Sequence, residues 1–425
     1  MSAADAFRDR LRRNLGGEAV GVTSVCSAHP LVLAAALRHA RATGGLALVE
    51  ATCNQVNHEG GYTGQTPAAF RDALGATARA AGLAPDAVLL GGDHLGPNPW
   101  RDRPAAEAME QARTMVAAYA AAHFTKLHLD ASMACAGEAA PLSVELIADR
   151  AADLCAVAEA AAPHGAPRPL YVIGTEVPTP GGATEALDHV AVTTPDDLRR
   201  TVEVHRRAFA RRGLDAAFAR VAAVVAQPGV EFGTDDVLDY APDAAQDLSR
   251  AVAGLDGLAL EAHSTDYQPE AALRALVRDH FAILKVGPEL TFALREAVFA
   301  LDAVEAELLP EDERAGVRAA LERAMLADPR WWKSHYPGDE RARRLARGYS
   351  LSDRVRYYWP EPGVARAVGR LFANLRRIGI AAALVSQYLP GEQDVPRAAP
   401  DNPEALVERR INRVLARYAR ACRSA

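Results

Sequence analysis

Val88-Leu89-Leu90-Gly91-Gly92-Asp93-His94-Leu95-Gly96-Pro97-Asn98 is an apolar run that stops in an acid, an imidazole and a turn. The apolar part has the length of a buried strand, and the glycines let the backbone turn tightly and approach a ligand. Seven further runs share this plan: Val20–Cys26, Leu46–Ala51, Lys126–Ala131, Leu170–Thr175, Val221–Ala226, Leu258–Ala262 and Phe281–Val286. Their near-continuous hydrophobicity is that of parallel strands covered on both faces. Segments of helical periodicity separate them, most clearly Pro104–His123 and Leu142–Ala162. Eight strand–helix alternations predict an α/β chain folded as a (β/α)8 TIM barrel. An open doubly wound sheet shares the alternation, but no GxGxxG follows the first strand.

The polar residues sit where such a barrel needs them. The runs end in Ser24, Cys26 and Ser27; Glu50, Asn54 and Gln55; Asp93 and His94; Asp130 and Ser132; Glu176; Gln227 and Glu231; His263, Ser264, Thr265 and Asp266; and Lys285. In a barrel all these ends converge on the C-terminal face, where such folds carry their sites. Ordinary surface loops would favour Lys, Glu and Ser over His, Asp, Asn and Gln beside Gly.

The 425 residues are 49% hydrophobic and 24% charged, with 48 basic against 54 acidic side chains of interleaved sign. No basic stripe marks a nucleic-acid binder, and no uncharged run reaches the roughly 20 residues of a membrane span. Met1–Arg10 mixes acids and bases with no apolar run behind it, which speaks against a signal peptide. Cys26, Cys53, Cys135, Cys155 and Cys422 form no CxxC pair and read as the reduced thiols of a cytoplasmic protein.

From Thr291 the alternation stops. We expect a barrel over 1–290 and, over 291–425, a helical extension packed on it. The extension comprises an acidic helix Ala300–Glu313, aromatic stretches Trp331–Tyr336 and Tyr349–Trp359, a linker-like Pro390–Pro403 and a terminal helix Pro403–Cys422. In a chain only 6% aromatic, such stretches should pack against the barrel or a second copy.

An adjacent Asp–His pair, Asp93–His94, can supply a proton-transfer group and a metal ligand side by side. A second imidazole at a strand end, His263, is followed by two hydroxyls, as at a metal ligand beside an anion-binding loop. With Glu176, in Ile173–Gly182, these histidines make a set suited to Zn²⁺, with Mn²⁺ or Mg²⁺ as alternatives. Two imidazoles need an oxygen donor as third ligand, and Glu176 is preferred to Gln227 or Glu231. Asp130 is an inward carboxylate whose plain alternative is an ion pair with Lys126. His29 and His128 are candidates for substrate contact, and His39, His123, His164, His189, His205, His280 and His335 default to packing or the surface.

Together these segments resemble the Z-type subunit family of class II D-tagatose-1,6-bisphosphate aldolase, formerly labelled tagatose-6-phosphate kinase. The resemblance lies in Ser24–Pro30, Asn54–Asn57 with Gly60–Gly64, Gly91–Asn98, His128–Met133, Gly174–Gly182, Gln227–Phe232, Glu261–Gln268, Leu284–Pro288 and Tyr349–Trp359. No P-loop or kinase glycine loop is present to support the older label. More distantly, the chain is similar to catalytic class II aldolases. That similarity implies an acid/base role for Asp93 and zinc ligation by His94 and His263, with Asp130-Ala131-Ser132 and Glu176-Val177-Pro178 echoing two further motifs. The strand-6 zinc histidine of those enzymes is replaced by Gln227, and their strand-7 glycine phosphate loop by Ser264-Thr265.

The resemblance implies two functions. One is a metal-dependent ketohexose or ketohexose-6-phosphate 4-epimerase (tagatose/fructose) using retro-aldol chemistry. Asp93 would remove the C4-hydroxyl proton, with Asp130 or Glu176 as the opposite acid/base. Ser264, Thr265, Lys285 and the Gly287 backbone would hold the phosphate, and Asn54, Gln55 and Gln227 the hydroxyls. The other is a non-catalytic subunit that stabilises a catalytic class II aldolase partner. A homo-oligomer is expected in either case.

Overall fold

A computed structural model describes residues 2–177, 190–395 and 401–423. The expected segment Pro178–Gly182, His189 and part of the linker, 396–400, lie outside the described residues. Each expected run contains a strand: β1 (Val22–Val25), β2 (Ala47–Thr52), β3 (Val88–Leu95), β4 (Lys126–Leu129), β5 (Leu170–Ile173), β6 (Val221–Val225), β9 (Ala259–Ala262) and β10 (Phe281–Val286). They pair in parallel in the order β1-β10-β9-β6-β5-β4-β3-β2 and close on themselves, forming a TIM barrel. The run after β6 is interrupted by a small antiparallel hairpin, β7 (Glu231–Phe232) with β8 (Val237–Leu238).

Closure satisfies every strand edge, and helices such as Ala105–Ala121 and Val144–Ala161 cover the outside. The N-terminal helix Ala3–Leu15 is capped by Ser2 and plugs the bottom of the barrel. Its Phe7 and Leu11 are buried against Val22, Leu48, Leu89 and Ile283, each contributing about 2 kcal/mol of apolar burial. At this bottom end, as in other barrels, conservative packing replaces chemistry.

The helix expected over Ala300–Glu313 is the second half of a longer one, Pro288–Leu308, which crosses the expected boundary at 290. It stops before Pro310, which cannot donate a backbone hydrogen bond, and Glu311–Glu313 forms a separate single turn. The terminal helix Pro403–Ala421 packs against Pro30–Thr43, Glu270–Arg278 and Pro288–Leu308. In the aromatic stretches Trp332, Tyr336, Tyr357, Tyr358 and Trp359 are buried within the chain, whereas Tyr349 remains 48% exposed. All five cysteines are free thiols.

Candidate active site

Strand periodicity builds the site. Along β4 and its extension, Lys126, His128 and Asp130 alternate with Leu127 and Leu129. The leucines join the core shared with the helices, and the three polar residues stack inside the barrel. Glu261 and His263 do the same around Ala262 on β9. Glu50 on β2 lies in register with Gly91, and Gly91 with Lys126. A Cβ on Gly91 would sit 2.7 Å from the Glu50 Cγ, so the glycine leaves the carboxylate room to cross the lumen.

Asp93 and His94 should by the same alternation point to opposite sides. They do not, because the β3–β4 register shifts between Gly92 and Leu95. His94 takes φ 50°, and its N–H donates to the Asp93 Oδ1 at 3.0 Å. This bulge re-aims both side chains at the cavity. A Cβ at Gly96 would overlap the Asp130 carbonyl at 1.6 Å, so only glycine allows the chain to leave β3 along this path.

The deepest layer is a charge network. Lys126 Nζ lies 2.8 Å from Glu50 and 2.7 Å from Glu261, all three side chains being fully buried. Lys285 Nζ lies 2.8 Å from Asp93 and 3.0 Å from Glu50. Ser24 donates to Glu50 at 2.5 Å. Above it, the rings of His94, His128 and His263 stand edge to face or tilted, with centroids 4.8 to 5.2 Å apart. His94 Nδ1 donates to Asp130 at 2.8 Å, His128 Nδ1 to Asp93 at 2.9 Å, and His263 Nε2 to Glu261 at 3.0 Å. His128 Nε2 is buried and without a hydrogen-bond partner.

Burial pushes the Asp93 carboxyl upward, but the adjacent His94 and Lys285 charges outweigh it and hold the group well below the usual carboxylate range. The balance is similar at Glu261, where Lys126 and Lys285 overcome burial, and Asp130 is held at about 2, its bond to His94 overcoming burial. Burial lowers His263 to about 3, leaving it neutral. His94 goes the other way: burial is overcome by Asp93 and Asp130, and its pKa rises. Three carboxylates, Glu50, Asp93 and Glu261, thus surround two ammonium groups, and a fourth, Asp130, pairs with His94.

This arrangement fits a divalent cation. The ligand atoms of Asp93, His128, Glu261 and His263 all lie within 4.8 Å of one another, in a buried cluster short of positive charge. The set overlaps the expected one at His263. His128 stands in it where His94 was expected. Glu176 is exposed past the end of β5, accepts from Thr193 Oγ1 at 2.6 Å, and is not brought to the cluster. The ion pair weighed for Asp130 with Lys126 is not formed, because Lys126 lies a layer deeper.

A small cavity opens above, lined by Asp93, His94, His263, Ser264, Lys285 and Gly287, with Asn54 and Gln55. Gln55 accepts from the Thr52 N–H and donates to the Cys26 carbonyl, and Gln227 Oε1 caps its own turn through Gly229 and Val230. Thr265 donates to the Lys285 carbonyl at 2.6 Å and meets Tyr418 of the terminal helix. The Gly287 N–H donates to Asp266, whose carboxyl burial pushes up to about 7. Glu231 is likewise raised to about 7 by burial. His29 caps the helix Pro30–Thr43 at the Leu31 N–H, a packing role. Tyr62, Arg356 and Tyr357 complete the cavity wall; they fall in the Gly60–Gly64 and Tyr349–Trp359 stretches, to which no site role is assigned from the sequence.

Over residues 7–423 the sequence matches the family model of the D-tagatose-1,6-bisphosphate aldolase subunit, GatZ/KbaZ-like. A probable tagatose 6 phosphate kinase from Sinorhizobium meliloti 1021 is 47% identical, with a TM-score of 0.85 over 95% of this chain and all of that one (100%). Fructose-bisphosphate aldolase from Campylobacter jejuni aligns at 12% identity and a TM-score of 0.45 over 89% of this chain and 96% of that one. With the family match running through the barrel and the terminal helix alike, the chain belongs to the GatZ/KbaZ-like family of D-tagatose-1,6-bisphosphate aldolase subunits.

Proposed function

We propose that the chain is a metal-dependent 4-epimerase of a ketohexose or ketohexose 6-phosphate, working by cleavage and re-formation of the C3–C4 bond. The observation that carries the reading is the cluster of Asp93, His128, Glu261 and His263, with its unpartnered imidazole nitrogen and surplus of carboxylates. His128, His263 and Glu261 would hold the cation, two imidazoles and one oxygen donor. Bound there, Zn²⁺, or Mn²⁺ or Mg²⁺ in its place, would supply Lewis-acid polarisation of the C2 carbonyl.

The remaining steps belong to side chains of this protein. Asp93, ionised beside Lys285, accepts the C4-hydroxyl proton. The C3–C4 bond breaks, its electron pair passing to an enediolate over C2 and C3, and C4 becomes an aldehyde. After the aldehyde turns its other face, the bond re-forms and His94, oriented by Asp130, returns a proton to the C4 oxygen. Asp93 Oδ2 and His94 Nε2 are 3.7 Å apart, so the proton taken by one can replace the proton given by the other.

Incubating the purified chain with each metal and with fructose 6-phosphate, tagatose 6-phosphate or the free sugars, then separating the products, tests this. The metal-loaded protein should interconvert the C4 epimers. His128→Ala and His263→Ala should lose stoichiometric metal and turnover, while Asp93→Asn keeps the metal and loses turnover. A wild type that binds no metal and converts no sugar would sink the reading. The family's description as an aldolase subunit favours a second one, an accessory partner of a catalytic class II aldolase. It would stand if the chain alone is inert but raises the activity or melting temperature of such an aldolase.

A further inference from the structure

We propose that Arg354 and Arg356, in the segment that roofs the barrel mouth, form the subsite for the phosphoryl group of the substrate. The inference rests on the sugar-phosphate reading above and extends it to the substrate's charged end. Both guanidinium groups are buried, Arg354 being 3% and Arg356 9% exposed. Neither forms an ion pair among the described residues. They converge instead on one phenol: Arg354 Nη1 donates to the Tyr357 hydroxyl at 3.4 Å and Arg356 Nη2 at 3.1 Å. Arg354 Nε and Nη2 are buried with no partner at all.

Two adjacent cations sequestered from water without an anion are costly, and the fold holds them there firmly. Arg356 Nη1 donates to the carbonyls of Ser352 and Asp353. The Arg354 N–H donates to the Tyr336 hydroxyl at 3.2 Å. Trp331 stacks flat on Tyr357, ring planes 2° apart at 4.6 Å. The neighbouring carboxylate, Asp353, is turned away to Arg295 at 3.0 Å. A preorganised pair of forked donors without a carboxylate matches the oxygens of a phosphate.

Position agrees with this. Arg356 and Tyr357 line the cavity over Asp93 and His263, whereas Arg354 and Tyr357 line an adjoining cleft, the two spaces meeting at Asn54, Tyr62 and Tyr357. Of the four acids lining that cleft, Asp328 is paired with Arg330 at 2.7 Å, Glu59 accepts from the Trp100 indole at 2.9 Å, Glu361 accepts from the Val364 N–H, and Asp102 is exposed to solvent. Lys285, in contrast, is held by carboxylates on the cavity floor, and Thr265 by the backbone.

Calorimetric titration of the metal-free protein with inorganic phosphate, and in parallel with acetate, tests the assignment without any turnover. Phosphate should bind saturably at one site and acetate at least tenfold more weakly. Arg354→Met and Arg356→Met should each weaken phosphate at least tenfold with the circular-dichroism spectrum retained. Should a methionine variant fail to fold, Arg356→Lys, which keeps the charge and loses the fork, should still lower affinity. Absence of saturable phosphate binding by the wild type, or folded variants that bind as tightly, would overturn the proposal. Phosphate binding without sugar turnover leaves the subsite standing and removes the epimerase reading; turnover without phosphate binding does the reverse.

Discussion

At the floor of the barrel mouth three carboxylates surround two ammonium groups; at its roof Arg354 and Arg356 share one phenol and no carboxylate. Both layers are buried, so neither imbalance is masked by water. The floor is built on β2, β3, β4, β9 and β10, whose closure sets each ammonium group among carboxylates. The roof hangs from a single turn, Arg354–Tyr357, of the chain beyond the barrel. Ion pairs on the floor hold the fold together while leaving room for added positive charge. Those on the roof are missing, which is a cost in the free protein that an anionic ligand removes.

The same kind of substitution should therefore act with opposite sign in the two layers. Lys126→Met leaves Glu50 and Glu261 to share Lys285 alone and should destabilise by about 3–5 kcal/mol, read from the denaturant midpoint. A wild-type midpoint would mean that the floor is not a mutually dependent network. Asp130→Asn leaves the floor intact but removes the carboxylate that orients His94 and helps to raise its pKa. Turnover should fall about a hundredfold with little change in melting, an effect near 3 kcal/mol in the barrier. Equal loss on removing Ser132, which only donates to Asp130, would move the role away from the carboxylate.

On the roof, Arg354→Met removes a buried charge with unmet donors. In phosphate-free buffer it should stabilise by about 1–3 kcal/mol, and the melting temperature should stop rising with phosphate. A destabilised variant would show that the guanidinium has a structural counter-charge. The smallest effect concerns acid. Burial lowers His263 to about 3 and His29 and His205 to about 4, below the roughly 6.5 of an unfolded chain. The unfolded state then binds more protons between those values, so stability should fall as pH drops from about 6.5 toward 4. His205 lies on the helix Pro195–Ala210 with its Nδ1 on the Thr201 carbonyl, outside both layers. His205→Leu should flatten the slope of melting temperature against pH, and a slope unchanged would place the acid sensitivity at His263 and His29.

Much of the floor was legible before any coordinates. The strand ends named Glu50, Asp93, His94, Asp130, His263 and Lys285, because a barrel's geometry alone brings these positions together. Lys126-Leu127-His128-Leu129-Asp130 alternates strictly and places all three polar residues in the lumen, a period of two that the segment's overall apolar character masks. Glu176 marks a real limit, since a carboxylate past the end of a strand goes where its loop goes, here to Thr193. The bulge at Asp93–His94 is similar, because two adjacent inward side chains follow from a register shift that no local periodicity specifies. Arg354 and Arg356 fall in Tyr349–Trp359, a segment that stands out by its aromatics and its family resemblance but not as a strand end. Its place over the mouth depends on tertiary contacts such as Arg295 with Asp353.

The contact between Thr265 and Tyr418 has a consequence for synthesis. The loop after β9, which carries His263 and Ser264, is fastened through the Thr265 carbonyl and hydroxyl to a tyrosine 153 residues further along. The Gly21 N–H before β1 is likewise bonded to the Cys422 carbonyl at 3.0 Å. All eight strands therefore leave the ribosome well before the helix that secures the first of them and the site loop. A nascent chain should hold a formed but loosely latched barrel for several seconds, at ordinary elongation rates of about 5–20 residues per second, before the mouth acquires its final shape.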